Sequence, residues 1–577
     1  MLFKRGPHRH LLSDLVVFFI IGGEIMAKTY MNRLQLLQKM SEKKYDLLII
    51  GGGITGAGIA LDAVTRGMEV GLFEMQDFAA GTSSRSSKLV HGGLRYLKQG
   101  EVRLVTEVGK ERAIVYENGP HVTKPEWMLL PVYKDGGLGP RSISMGLKVY
   151  DFLAAVKKQE RRRMLSKEQV VKQEPLLKRQ GLQGGGYYVE YRTDDARLTI
   201  EVIKRAAEFG ADLLNYTKVL DFLYDDRKIA GVVVEDIQTG NRYDIRAKKV
   251  VNATGAWVDL LREKDGLNEG KTLKLTKGVH VVIDQSRFPL KQAIYFVTED
   301  SRMVFAIPRE GKVYVGTTDT FYDKDPIRPL ITEEDRMYIL KAIHFIFPKL
   351  TLSAQDIESS WAGVRPLIHE EGKGPSEISR KDEIWVSKSG LITIAGGKLT
   401  GYRKMAETIV NLLSRQFKDE QYKLFGKCVT RNLPISGGDV GGSHYFEAFI
   451  SKYTKEGIKL GLTEREARHL TRLYGSNISK VYQIIKDGKN DIEKYQFTSE
   501  VFARLVYGIQ EEYVVTPVDF FVRRTSALLF QIDWVHRWKE AVSRYMCDVF
   551  GWSEREISKY KEDLEREIWN ATNVSDV

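Results

Sequence analysis

Hydrophobic residues first fall into a regular pattern at Asp46 to Ile50, an apolar run that breaks at Gly51-x-Gly53-x-x-Gly56. An Ala/Gly-rich helical pattern follows to about Arg66, and a second apolar run, Glu69 to Phe73, ends at the acid Glu74. Short apolar runs bounded by glycine predict buried strands, and the stretch between them predicts the crossing helix of a βαβ unit. Upstream, Met31, Leu34, Leu37 and Met40 recur at helical spacing and predict a packed amphipathic helix over residues 29–44.

Further along, Trp127 to Tyr133 reads as a strand, Ser142 to Val156 as an apolar helix, and Leu198 to Phe209 as a helix with an acidic start at Asp194-Asp195. Lys228 to Val234 and Arg242 to Ala247 predict a hairpin around Thr239-Gly240, and the apolar strand after it ends in Ala253-Thr254-Gly255. From Leu273 to Asp319 the pattern becomes strand after strand: Gly278 to Ile283, Gln292 to Val297, Met303 to Ile307 and Val313 to Gly316. Short turns between them predict an antiparallel sheet. A helix over Thr332 to Phe345 and a strand over Ser359 to Val364 follow. A hairpin, Ile384 to Lys388 with Leu391 to Ile394, then delivers Gly396-Gly397-Lys398-Leu399-Thr400 into a helix near Tyr402. Beyond the Leu433–Gly438 linker helical patterns dominate, including Ser499 to Glu511 and Thr516 to Leu529. Asp519, Arg523 and Arg524 in the last of these predict a buried or interfacial ion-pair cluster.

The 577 residues exceed one simple domain, and length sets an expectation of about three units. Cys428 and Cys547 stand far apart, which excludes a disulfide framework or a cysteine metal cluster and suits a reducing cytosol. No metal site is expected. The formal charge of +12 fits an anionic partner, whether nucleic acid, membrane face or substrate, and equally a plain solubility feature, so charge alone decides nothing. No helix-turn-helix, zinc-finger or RNP pattern accompanies it, so nucleic acid is not expected. The basic run Lys157 to Arg163 fits either anionic lipid headgroups or a solvated helix end. Leu15 to Ile21 is apolar but too short to span a bilayer, and no clear cleavage pattern follows it. Gly22-Gly23-Glu24-Ile25 can be encoded by a purine-rich ribosome-binding sequence, so residues 1–25 are expected to be a translated leader or disordered extension before a natural start at Met26. No later apolar run approaches the ~18 to 20 residues of a membrane-spanning helix, so any membrane contact is expected to be peripheral.

The βαβ stretch carries the first candidate chemistry. Gly51 permits the tight turn, Gly53 lets the backbone approach a pyrophosphate, and Gly56 lets helix and strand pack. The helix N-terminus, with Ile54 and Thr55, offers N–H donors and a positive dipole. Glu74, followed by Met75, lies near the ~20-residue offset of the acid that binds ribose hydroxyls. Next comes Thr82-Ser83-Ser84-Arg85-Ser86-Ser87-Lys88-Leu89, whose small and hydroxyl side chains let the chain run against a polar ligand. The glycine-rich Gly397-Lys398-Leu399-Thr400 junction is a second strand-to-helix anion site.

The hydroxyl stretch together with His91-Gly92-Gly93-Leu94-Arg95-Tyr96 resembles the TSS-x-SSK-x-x-HGG-x-RYL hallmark of the FAD-dependent glycerol-3-phosphate dehydrogenase family (aerobic, respiratory). Thr254-Gly255-Ala256-Trp257, Lys277-Gly278-x-His280 and Gly397-Lys398 match further segments in the same order, and the resemblance covers nearly the whole chain from about Tyr45. It implies an α/β fold: a Rossmann-like FAD-binding domain (residues 45–122, 190–262 and 360–415), an antiparallel-sheet substrate domain (123–189 and 263–359) of the D-amino-acid-oxidase-like flavoprotein type, and an all-α C-terminal cap (433–577). It implies FAD as cofactor and oxidation of sn-glycerol 3-phosphate to dihydroxyacetone phosphate by hydride transfer. His280 is then the base for the C2 hydroxyl. Arg95, Arg365 and Arg380 are candidates for the substrate phosphate, Tyr96 lines the pocket, and Lys398 bridges substrate and flavin.

The family's dehydrogenases pass electrons to membrane quinone as peripheral proteins on the cytoplasmic face, and the absence of a recognisable insertion favours them over the related oxidases that use oxygen. A homodimer is left open. The competing readings are a flavin amine or amino-acid oxidase and a flavin-bound interaction protein recruited to membranes.

Overall fold

The computed structural model describes residues 24–91, 101–134, 139–153, 156, 158–266, 271–369 and 381–575. Residues 1–23 of the expected leader, and the expected site residues Gly92, Gly93, Arg95, Tyr96 and Arg380, lie outside the described residues.

The strands in chain order begin with β1 (Lys44–Ile50), β2 (Val70–Phe73), β3 (Leu89–Val90), β4 (Thr123–Tyr133), β5 (Arg163–Ser166) and β6 (Leu182–Thr193). Next are β7 (Asp212–Leu214), β8 (Thr217–Asp225), β9 (Lys228–Asp236), β10 (Arg242–Asn252), β11 (Leu273–Asp284) and β12 (Ala293–Val297). The last are β13 (Met303–Arg309), β14 (Lys312–Gly316), β15 (Thr320–Phe321), β16 (Ile357–Ile368), β17 (Asp382–Val386) and β18 (Ile392–Gly396). Among the described residues they form two sheets.

The first sheet runs β17-β18-β10-β1-β2-β7, with parallel pairing from β18 across to β7 and the β8–β9 hairpin extending from β10. β1 reads as an unbroken apolar run because both of its faces are covered. Leu47 and Ile49 pack under the helices Ile54–Thr65, Asp195–Glu208 and Tyr402–Asp419. Leu48 and Ile50 pack on the opposite face with Leu37 and Met40 of the Glu24–Glu42 helix and with Phe222, Val232 and Val234 of the hairpin.

The second sheet runs β15-β11-β14-β13-β12-β4-β6-β3, with β16 beside β11 and β5 beside β6. The expected antiparallel order of β11 to β14 is present, but β12 joins β4 in parallel. One face packs on the Glu333–Ile346 helix and the other on Leu147, Leu529 and Phe530. The expected segment boundaries at 189/190 and 359/360 fall inside β6 and β16, both in this sheet. Continuous pairing of these two strands with β4 and β11 leaves no break there.

The C-terminal region is helical, as expected, with cores around Phe502, Phe521 and Met546 and around Leu470 and Tyr507. The expected helix from Thr516 to Leu529 is not continuous. It forms a π-helical turn over Asp519–Arg524, a left-handed Ser526 and a short Ala527–Phe530 helix. An α-helix separates consecutive side chains by about 100°. Here the wider turn lets the consecutive Arg523 and Arg524 reach one carboxylate, that of Asp77.

Backbones approach closely at the βαβ turn. Gly51 has φ +109°, and a Cβ on Gly56 would lie 1.9 Å from the Gly51 carbonyl oxygen. That obstacle is backbone and cannot rotate away. Gly56→Ala should therefore destabilise the fold by about 1–3 kcal/mol, the usual range for overpacking. Urea unfolding with an unchanged slope and a lowered midpoint is the expected result; an unchanged midpoint would show that the helix is free to slide.

Candidate functional site

A cavity of about 1180 Å³ opens beyond the carboxyl ends of β1, β2, β10 and β18, where open α/β sheets bind ligands. Its walls come from the turn after β1, from Glu74 and Met75, from the Gly81–Ser87 loop with Leu89 and His91, from Thr254–Trp257, and from Gly396–Thr400. Across from these stands Arg365 of β16, on the second sheet. The site thus lies where the two sheets meet.

At the first end, the Ile54–Thr65 helix starts from Gly53 in extended backbone, with no side-chain cap and no acid in its first turn. Its Ile54 N–H donates to Ser83 Oγ at 2.9 Å. Glu74 accepts from the Gly52 and Gln76 N–H groups at 2.7 and 2.9 Å. Burial pushes the Glu74 carboxyl up from its ordinary value, and those two N–H groups pull against the shift. At the far end, Gly396 and Gly397 have φ of +75° and +85°; Cβ atoms there would strike the Lys381 carbonyl and the Met405 side chain. The Tyr402–Asp419 helix that follows also lacks a side-chain cap. Two uncapped helix starts, one at each end, suit anionic or electron-rich groups.

The hydroxyl loop ties these parts together. Thr82 Oγ1 donates to the Val364 carbonyl at 2.7 Å, which fixes the loop to β16. His91 N–H donates to Thr400 Oγ1 at 3.1 Å, and that hydroxyl donates to the His91 carbonyl at 3.2 Å. Three expected cofactor contacts stand behind the cavity wall instead of in it. Gly56 packs on Gly51, while Lys88, 1% exposed, donates to Asp195 Oδ1 at 2.6 Å and to the Ser84 carbonyl at 3.0 Å. Lys88 and Ser84 therefore anchor the loop to the start of the Asp195–Glu208 helix.

His280 also stands one layer back. It is 1% exposed, stacks on Trp361 at 4.6 Å, and meets the cavity-lining Ser87 hydroxyl through Nε2 at 2.9 Å. Gly316 makes room for the ring, since a Cβ there would lie 2.2 Å from His280 Cδ2. Burial first, then the charges of Arg365 and Lys88, hold the His280 imidazole well below the usual histidine range, so it is neutral at physiological pH. Arg365 lies over Gly278, where a Cβ would be 2.2 Å from the guanidinium, and this explains the glycine in Lys277-Gly278-x-His280. Its guanidinium donates to Thr317 Oγ1 at 2.9 Å and pairs with Asp319 at 3.3 Å. Lys398 lines the same cavity, at the head of the turn before the Tyr402–Asp419 helix.

Sequence reasoning passed over Arg85, the variable position of TSS-x-SSK, which lines the cavity and donates to the Ile327 carbonyl at 2.9 Å. A lone cation inside a hydroxyl-rich stretch was its available signal. It also passed over Thr317 and Asp319, which orient Arg365 and follow the fourth strand of the expected sheet. No cluster that could hold a metal ion occurs among the described residues.

The residues fit an extended flavin dinucleotide: a cavity larger than a typical ~300–1000 Å³ ligand site, a capless helix start for the pyrophosphate, an acid for the ribose, and glycine cradles that a Cβ would fill. A family model described as FAD dependent oxidoreductase matches residues 46–403, and one for the C-terminal domain of alpha-glycerophosphate oxidase matches residues 428–557. The chain is 60% identical over 541 residues to the aerobic glycerol-3-phosphate dehydrogenase of Bacillus subtilis, covering 94% of this chain and 98% of the relative. It is 57% identical over 548 residues to that of Staphylococcus aureus, covering 95% and 98%. The glycerol-3-phosphate dehydrogenase from Bacillus halodurans complexed with FAD superimposes with a TM-score of 0.83 at 50% identity, covering 95% of this chain and 99% of that one. L-alpha-glycerophosphate oxidase from Mycoplasma pneumoniae, at 19% identity and a TM-score of 0.54, shares the fold. On these grounds the chain belongs to the FAD-dependent oxidoreductases, within the aerobic glycerol-3-phosphate dehydrogenase family.

Proposed function

We propose that this protein oxidises sn-glycerol 3-phosphate to dihydroxyacetone phosphate, with FAD as the hydride acceptor and membrane quinone as the final acceptor. The observation that carries this reading is one cavity that joins a dinucleotide-binding turn at Gly51–Gly53 to the Arg365 guanidinium of the second sheet and to the Ser87 hydroxyl, which meets the His280 imidazole behind the wall. Bound FAD supplies the two-electron acceptor for the hydride leaving C2 of the substrate.

The chain's own residues do the rest. The N–H groups at the start of the Ile54–Thr65 helix hold the pyrophosphate and Glu74 holds the ribose. Arg365, oriented by Thr317 and Asp319, binds the substrate phosphate, with Arg85 adding positive charge to the same cavity. The C2 hydroxyl gives its proton to Ser87 Oγ as that hydroxyl gives its own to His280 Nε2, so the alcohol leaves as a ketone. A phosphate dianion on Arg365 offsets one of the charges that hold the imidazole low, which raises its basicity when substrate is bound.

Passing electrons to quinone requires contact with a membrane surface. No helix among the described residues is long and apolar enough to cross a membrane. The Pro140–Leu153 helix supports a peripheral contact: it buries Leu147 and Tyr150 but exposes Met145 (61%) and Phe152 (84%), with Val149 between them. Arg141 and Lys148 of the same helix are exposed, as are Lys158, Arg161 and Arg163 in the segment that follows it. Such a helix lies in the interface plane of an anionic bilayer.

Three outcomes are expected. Adding glycerol 3-phosphate without air should bleach the oxidised flavin spectrum, and quinone should restore it faster than oxygen; an unbleached spectrum would remove the substrate assignment. His280→Ala should lower kcat by roughly 10²–10⁴ with the yellow colour retained, whereas Arg365→Ala should mainly raise KM. Unchanged kcat in the first variant would end the proton role of the imidazole. Phe152→Ser with Met145→Ser should weaken co-sedimentation with phosphatidylglycerol vesicles about tenfold and leave turnover with a soluble dye intact. Equal sedimentation of parent and variant would move the membrane contact elsewhere.

A further inference from the structure

The C-terminal helical region meets the loop behind the cofactor cavity at Asp77. This aspartate lies three residues beyond Glu74 and is fully buried. Arg524 grips both of its oxygens at 2.8 Å, and the Arg523 Nε donates to Oδ2 as well. Burial alone would push this carboxyl up; Arg524 and Arg523 overcome it and hold the carboxyl below the usual range. Each arginine is anchored in turn. Arg524 donates to the Glu512 carbonyl at 2.6 and 2.9 Å. Arg523 donates to Asp519 at 2.7 Å, and Asp519 accepts from the Val515 and Thr516 N–H groups and from Tyr216 Oη.

Tyr216, which bonds Asp519, also borders the segment that positions Glu74. The Gly52 and Gln76 N–H groups hold its carboxylate, and the Thr217 and Tyr216 N–H groups donate to the Glu74 and Gln76 carbonyls at 2.7 and 2.8 Å. Asn215 links Asp77 Oδ1 to the Tyr513 carbonyl, and Phe78 meets the Tyr513 ring edge-on at 5.1 Å. Residues 74–79 are therefore held between the phosphate-binding turn on one side and residues 512–524 on the other. The charge of Arg523 also reaches Glu74 and Arg85, both of which line the cavity.

We propose that Arg523 and Arg524 are positioning residues for the cofactor: by holding Asp77 they keep Glu74 in place to bind the ribose, so the C-terminal region clamps the adenosine end of the FAD site. The inference rests on the reading that this cavity holds FAD. The π-helical turn is what delivers both guanidinium groups to one carboxylate. The clamp acts on the ribose end, whereas Arg365 and His280 act at the substrate end, so weakening it separates cofactor affinity from substrate affinity.

The test uses the full chain, deflavinated and titrated with FAD. Arg524→Lys keeps the charge but replaces a planar fork by one point donor, which cannot satisfy both Asp77 oxygens and the Glu512 carbonyl. The FAD dissociation constant should rise about tenfold or more, with KM for glycerol 3-phosphate at saturating FAD within about twofold of the parent. Arg523→Lys, which removes one bond to Asp77, should give a smaller rise. An FAD dissociation constant within about twofold of the parent in folded Arg524→Lys protein overturns the clamp. A second measurement needs no variant: coupling is reciprocal, so FAD should slow amide exchange at Val515, Thr516 and Asp519, which do not line the cavity. Protection confined to the cavity wall, with residues 512–524 unchanged, overturns the clamp and leaves the cofactor assignment standing. Failure of the parent chain to bind FAD overturns both.

Discussion

Lys88 and Asp195 form an ion pair with both side chains at most 1% exposed, and the cavity depends on it. Taking two charges out of water is costly, and such a pair is tolerable only when its remaining donors and acceptors are met. Here they are: Asp195 also accepts from Ser86 Oγ, Ser86 N–H and Ala196 N–H, and Lys88 also donates to the Ser84 carbonyl. The pair pins residues 84–88 to the start of the Asp195–Glu208 helix. From that fixed point the loop sends Ser83 to the dinucleotide turn and Ser87 to His280, and its Ser86 carbonyl accepts from Trp361 Nε1 of β16. Losing one partner would leave an uncompensated buried charge, at a cost of about 3–5 kcal/mol, and would free the strip that joins the two sheets.

The electrostatics of the cavity follow from this scaffold. Lys88 is buried too deeply to touch a ligand, yet its charge adds to burial and to Arg365, the larger causes, in keeping the His280 imidazole neutral. Arg365 is the reverse case: it faces the cavity, and Thr317 and Asp319 fix its direction. Positive charge at the cavity is thus divided between a structural cation behind the wall and cations on it, Arg85, Arg365 and Lys398 among them. The overall charge of +12 says nothing about this division.

The helical C-terminal region enters the same scheme. Its contact with the first sheet is not only apolar packing; Arg197 pairs with Glu512 and Glu201, and Asp77 pairs with Arg523 and Arg524, all buried. Paired charges of this kind fix relative placement more narrowly than greasy surfaces do, because each donor has a direction. These pairs hold the region against the cofactor loop.

Much of this was legible from residues alone. The Gly51-x-Gly53-x-x-Gly56 turn, the acid at Glu74 and the apolar runs around them specify a βαβ unit locally, because strand, turn and helix signals there lie within thirty residues of one another. The alternating strands after Leu273 and the helical end were legible for the same reason, and the order of motifs carried the family resemblance. Burial and long-range pairing were not. Lys88 reads as a cofactor ligand in a linear motif, and only its meeting with Asp195, 107 residues on, turns it into an anchor. His280 reads as a wall residue until Trp361 covers it and Ser87 stands between it and the cavity. The break at Asp519–Arg524 was hidden because the helical pattern is intact, and the partner that bends it, Asp77, lies more than 440 residues away. Local signals decided which elements form and what chemistry they bring; tertiary contact decided which side chains face the ligand, because burial and direction are properties of neighbours that the chain order does not contain.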